Sequence, residues 1–134
     1  MENNNDIKIL VLDEQSAIGH YIKECLKHKN IKVFTSTKAK NIVIDKTTKG
    51  SLFVVYIIYN ESELFANYHI LERLKIPLVL GPMDIQLFKT FSKVNNLNVM
   101  NMTATKTEYL SQIQELITTF SNTDKHSEEP LQNN

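Results

Sequence analysis

Two adjacent carboxylates, Asp13 and Glu14, are the residues of this chain best placed to do chemistry. They follow the nearly unbroken apolar run Ile7-Lys8-Ile9-Leu10-Val11-Leu12 and precede a helix-type pattern over residues 16–27. Strand, acid pair, helix is how a doubly wound α/β domain sets charge at the carboxyl edge of its sheet, where such folds bind ligands. Two carboxylates there are half of what a metal-assisted phosphoryl-transfer site requires.

The other reactive side chains do not cluster along the sequence. His20, His28, His69 and His126 are scattered, with no two at i, i+4, so solvated or structural roles are expected of them. Cys25 is the single cysteine and lies on the apolar stripe of the first helix pattern, where a buried structural thiol is expected. Ser16 follows the acids closely, but no Gly-x-Ser-x-Gly elbow surrounds it, and it reads as a helix N-cap. Gly19, Gly50 and Gly81 stand alone, so no glycine-rich phosphate cradle is present. Gly81-Pro82 reads as the turn that ends a strand. Tyr56 and Tyr59 carry hydroxyls, but core or rim packing accounts for them.

The bulk properties narrow the function. The chain has 134 residues, enough for one domain with its own core, and 42% of them are hydrophobic, which points to a packed globule. Fifteen Lys plus Arg balance fifteen Asp plus Glu. A neutral chain lacks the electrostatic footprint of a nucleic-acid binder and the basic cluster of a membrane-surface protein, so neither partner is expected. Arg73 is the only arginine, which leaves little for bidentate phosphate recognition. The polar, acidic start of the chain is unlike a secretory signal and no apolar run spans a bilayer, so a cytoplasmic protein is expected.

Five short apolar runs must position the acids. They cover residues 7–12, 31–35, 52–59, 76–80 and 97–100. The first, third and fourth are almost continuous and rich in β-branched residues, as parallel strands read when both faces are covered. Helical stripes lie between them: Ile18, Ile22 and Leu26; Leu64, Tyr68 and Leu71 after Asn60 or Ser62; Leu87, Phe88 and Phe91 after Asp84; and Leu110, Ile113, Ile117 and Phe120 after Thr105 or Thr107. Residues 38–49 are ambiguous, since Ile42-Val43-Ile44 suits a helical turn or a short strand. Repeated β-α alternation implies a parallel sheet with right-handed crossovers and helices on both faces. The domain is expected over residues 6–120, followed by a disordered polar tail over 121–134.

On the Leu-Val-Leu-Asp-Glu strand end, the five-fold β-α order and the Ile-Pro-Leu-Val-Leu fourth strand, residues 6–120 resemble the receiver domain of bacterial response regulators. The resemblance implies a chemotaxis-type (βα)5, flavodoxin-like fold with strand order 2-1-3-4-5. It also implies a site: an acid pair that helps hold a metal, an Asp phosphoacceptor ending strand three, a Thr or Ser ending strand four, and a Lys ending strand five. Asp13 and Glu14 match the acid pair. The acceptor position falls on Tyr56 or Ile57, the Thr/Ser position on Gly81 or Pro82, the Lys position on Asn101 and the aromatic switch position on Asn98. No Asp occurs from residue 53 to 75. Four functional positions have departed together, so the chain resembles a degenerate receiver, or pseudo-receiver. Asp13, Glu14 and Glu61 are the carboxylates that could gather around Mg2+, but with no acceptor to serve, no bound metal or other cofactor is expected.

The function that follows is a non-enzymatic signalling domain in two-component-type bacterial regulation, acting through protein partners such as a kinase or transcription regulator. Homodimerisation would use the receiver face of helix four, strand five and helix five, residues 84–95, 97–100 and 106–120. Two alternatives stand beside it: a small-ligand binder or enzyme on a flavodoxin-like sheet, and an ordinary receiver whose acceptor lies elsewhere.

Overall fold

The computed structural model describes residues 7–27, 31–44 and 52–133, with side chains as far as residue 120. Five parallel strands, β1 (Ile7–Leu12), β2 (Ile31–Ser36), β3 (Leu52–Ile58), β4 (Leu78–Pro82) and β5 (Asn98–Val99), form one sheet in the order β2-β1-β3-β4-β5. Helices α1 (Ala17–Leu26), α2 (Glu61–Arg73), α3 (Ile85–Ser92) and α4 (Lys106–Asn133) complete the alternation. This is the flavodoxin-like, receiver-like α/β fold and strand order expected from the sequence. Between β2 and β3 the described residues include a 3-10 turn, Ala39–Asn41. Ile42-Val43-Ile44 adopt neither helix nor strand. Residues 45–49, the rest of the ambiguous stretch, lie outside the described residues.

The two-residue period of the strands sorts side chains into two layers. Ile9, Val11, Phe53, Val55 and Ile57 face α1 and α4, packing with Ile22, Leu26, Tyr109 and Ile113. Phe120 closes this layer with its ring 4.7 Å from that of Phe53. Leu10, Leu12, Val54, Tyr56 and Ile58 face the other way, against Leu64 and Leu71 of α2 and the partly buried Leu87 and Phe91 of α3. β3 is buried at all seven positions, because it is central and covered on both faces.

Helix starts depart from the sequence reading at one point. Asn60 accepts from the Glu63 N–H, Asp84 from the Gln86 N–H, and Thr105 and Glu108 form a reciprocal capping box. Ser16, expected to cap α1, instead has a left-handed backbone (φ 66°) and makes no side-chain capping bond. Gly81-Pro82 do not end β4 by a turn but lie within it, paired with Ile57 and Ile58. β5 is short and reaches only Val79 and Leu80, so the missing N–H of Pro82 leaves no gap in a second ladder. The helical backbone of α4 is described as far as Asn133. Among the described residues, no helix is long and apolar enough to cross a membrane.

Ile113 is fully buried and Phe65 is 67% exposed. Ile113→Ala should lower unfolding free energy by about 2–5 kcal/mol in urea denaturation, through lost burial plus a cavity. Phe65→Ala should stay within about 0.5 kcal/mol.

Candidate functional site

The acids at the end of β1 do not act as a pair. Asp13 follows the last residue of β1 and Glu14 lies in the turn that leads to α1, and their side chains serve opposite sides of the sheet edge. Asp13 turns into the layer under α1 and is 1% exposed, whereas Glu14 is exposed on the opposite face. The Asp13 backbone N–H donates to the Ser36 carbonyl, which extends the β1–β2 ladder by one residue before the chain turns into α1.

The Asp13 carboxylate is committed to the protein. Oδ2 accepts from the Gly19 N–H at 2.9 Å, and Oδ1 from the Gln15 N–H at 3.1 Å and the Tyr59 hydroxyl at 2.5 Å. Asp13 therefore supplies the side-chain cap that Ser16 does not, from outside the helix and next to its positive end. Gly19 permits this approach. A Cβ there would lie 3.3 Å from Thr35 Cγ2 and 3.6 Å from Asp13 Cβ. Burial, then the bond to Asp13, pushes the Tyr59 phenol well above its usual range, so it remains a donor at all ordinary pH values.

Beside Asp13, Ile57, Gly81 and Met102 pack together as hydrocarbon. Ile57 is 1% exposed, stands in register with Gly81 and shares the layer of Asp13. Gly81 has no side chain, and Met102 occupies the space: a Cβ on Gly81 would sit 2.9 Å from Met102 Cγ and 3.4 Å from Ile57 Cδ1. Met102 is 3% exposed although it lies in the loop after β5. The loop is fixed to α4 by Gln112, whose Oε1 accepts from the Asn101 N–H at 2.8 Å and whose Nε2 donates to the Asn101 carbonyl at 3.2 Å. The Asn101 amide oxygen takes the Thr103 N–H and hydroxyl. Asn101, expected at the Lys position, is thus half-buried in a turn that holds Met102 down. Asn98 is exposed on β5, paired with Val79, and Pro82 is buried at the end of β4.

On the other face, Glu14 and Tyr56 line a cavity of about 270 Å3 under α2 and the 3-10 turn. Tyr56 is buried, and its hydroxyl accepts from Asn67 Nδ2 at 2.9 Å. Burial raises its pKa, and the Asn67 bond partly opposes the rise. Glu14 shares a hydrogen bond with Glu63, which, with the like charge, holds its carboxyl above the usual range. Glu63, not Glu61, is the α2 carboxylate that reaches the sheet edge. Among the described residues, no group of three or more His, Cys, Asp or Glu side chains is placed to hold a metal.

The remaining candidates are dispersed. His20 and His69 are exposed on different helices, whereas His28 and the side chain of His126 lie outside the described residues. Cys25 is partly exposed, not buried, and sits by the Tyr21 hydroxyl, whose pKa it raises. Tyr59, Gly19, Glu63 and Asn67 were not assigned to the site from sequence. Tyr59 is one residue past β3 and Gly19 one helical turn past Ser16, spacings that could have suggested contact with Asp13.

No family model matches the chain, and no curated protein shows significant similarity to it. Among solved structures, it is similar to a Burkholderia pseudomallei protein provisionally described as pilus assembly-related, with a TM-score of 0.62 at 13% identity, over 91% of this chain and 94% of that one. At that identity the likeness establishes a shared fold.

Two outcomes follow from this geometry. Tyr59→Phe should cost about 1.5–3 kcal/mol in denaturation, the usual worth of a hydrogen bond to a charged group. Gly81→Ala should cost about 1–3 kcal/mol by overpacking. Adding Met102→Ala should then cost less than it does in the parent chain, a coupling that a double-mutant cycle reads directly.

The Glu14–Glu63 contact has its own signature. The folded state holds the Glu14 proton more tightly than the unfolded chain, so its contribution favours folding in acid and is lost as pH rises through the raised value. Glu63→Gln should therefore raise the melting temperature at neutral pH and lose that advantage in mild acid, as read by thermal scans.

Proposed function

We propose that this chain is a pseudo-receiver: a receiver-like domain that works by protein–protein contact and accepts no phosphoryl group at the usual position. The observation that carries the reading is the Ile57–Gly81–Met102 contact, which fills with apolar atoms the space at the two positions that the resemblance gives to acceptor and hydroxyl. Acyl phosphate formation requires a carboxylate nucleophile and neutralisation of the phosphoryl charge. Ile57, Gly81 and Asn101 provide neither. Asp13 is engaged by three donors and is not free to help hold a metal.

The setting we infer is bacterial two-component-type regulation in the cytoplasm, with a kinase or transcription regulator as partner. The surface best suited to contact is formed by α3, β5 and the start of α4, where receivers commonly dimerise or meet their outputs. Ile85 and Val94 are 41% and 50% exposed there. Without a phosphoryl switch, partner binding itself selects the conformation. The fold it shares with a pilus assembly-related protein is compatible with an assembly partner as well as a signalling one.

Incubation with acetyl phosphate and Mg2+, followed by intact-mass analysis, should show no phosphoryl adduct, and beryllofluoride should leave the oligomeric state unchanged. A stoichiometric adduct that survives Tyr56→Phe and maps to a carboxylate would overturn the pseudo-receiver reading.

A further inference from the structure

We propose that helix α2 docks antiparallel against α2 of a second copy of this chain, burying the apolar groove between α2 and α3 beneath the contact. Phe65 is 67% exposed and stands at the rim of that groove. Leu64, Tyr68, Leu80, Phe91 and Leu97 make the rest of the lining almost wholly apolar. The groove measures about 290 Å3. A cavity of about 150 Å3 holds benzene, so there is room for a phenylalanine ring. The stretches of the chain whose side chains are not described offer it no apolar cover. Met1 is the only apolar side chain in 1–6, there is none in 28–30 or 45–51, and Leu131 is the only large one beyond 120.

The charges on either side of Phe65 select the partner. Glu61, Phe65, His69 and Arg73 recur at every fourth residue and are all exposed, so they form one ridge along α2. The ridge is acidic at its first member and basic at its last, and Arg73 is the only arginine of the chain. Among the described residues, neither Glu61 nor Arg73 has an ion-pair partner. Reversed end to end, this ridge is its own complement. A two-fold axis midway between Phe65 and His69 sets Glu61 beside Arg73 of the second copy and Phe65 beside its His69, and each pairing occurs twice. A parallel arrangement would instead set Glu61 against Glu61 and Arg73 against Arg73.

Ridges of residues four apart pack side by side in the commonest class of helix contact, so the match extends along the whole row. The same symmetry turns the two grooves toward each other and brings each Phe65 ring over the groove of the other copy. Aromatic and Arg side chains are the ones that carry most contact energy at interfaces, and the ridge supplies both. The surface is centred on α2, not on the α3–β5–α4 face, and the inference stands whether or not the chain accepts a phosphoryl group.

Sedimentation velocity of the full chain from about 10 µM to about 1 mM tests the proposal. One helix pair is a small interface, so a reversible dimer with Kd on the order of 100 µM is expected. Phe65→Ala should weaken it at least about tenfold, while Ile85→Ser, on the α3–β5–α4 face, should leave it unchanged. Glu61→Arg and Arg73→Glu should each be monomeric alone, because like charges then meet twice. Mixed in equal amounts they should dimerise again, as a heterodimer in which both ion pairs are restored, and that recovery, with unchanged circular dichroism, shows that both are folded. A parent chain that stays monomeric at the highest concentration would overturn the proposal. So would a dimer that Ile85→Ser weakens and Phe65→Ala does not, or a charge-variant mixture that remains monomeric while the parent dimerises.

Discussion

A buried carboxylate in a protein interior must be fully hydrogen-bonded, and the way Asp13 meets that demand organises the carboxyl edge of the sheet. Its three donors come from three segments: the turn after β1, the first turns of α1, and the residue that follows β3. The interaction fixes where α1 begins, holds Gly19 against β1 and β2, and pins the start of the β3–α2 connection. The same bonds that complete the fold withdraw Asp13 from the chemistry its position suggests.

Once Asp13 is committed in this way, an open polar cleft beside it would be costly, since the neighbouring strand ends are already covered by α1 and α4. The chain resolves this with apolar volume. Gly81 leaves a gap that Met102 fills, and Gln112 holds the Met102 loop in place through the backbone of Asn101. Methionine suits an irregular space of this kind, being unbranched and polarisable. The result is a sheet edge with two characters: packed and closed over Asp13 on one face, open and polar around Glu14 and Tyr56 on the other.

Much of the fold was legible in the sequence. The continuous apolar runs gave the strands and their parallel arrangement, because strands covered on both faces need no polar alternation. Asn60, Asp84 and Thr105 gave helix starts, because their side chains act on neighbours within three residues. The misreadings have a common cause. Ser16 looked like a cap, but a long-range carboxylate fills that role. Gly81-Pro82 looked like a turn, but the local rule gave way to pairing with β3. Asp13-Glu14 looked like one unit, but the turn that begins after Asp13 sends the two side chains to opposite faces. Cys25 was expected in the core on its helical stripe, yet the stripe's edge leaves it partly exposed. Contacts that join distant segments, such as Tyr59 to Asp13 or Met102 to Gly81, leave no periodic trace in a single sequence.

The central claim is that Asp13 is sealed into the structure and is not held ready for a metal-dependent reaction. Titration of the isotope-labelled chain with Mn2+, followed by amide NMR, tests this most directly. Paramagnetic broadening should be weak and confined to exposed carboxylates, leaving the Gln15, Gly19 and Tyr59 amides sharp. Selective broadening of those three signals at low Mn2+, reversed by Asp13→Asn, would contradict the account.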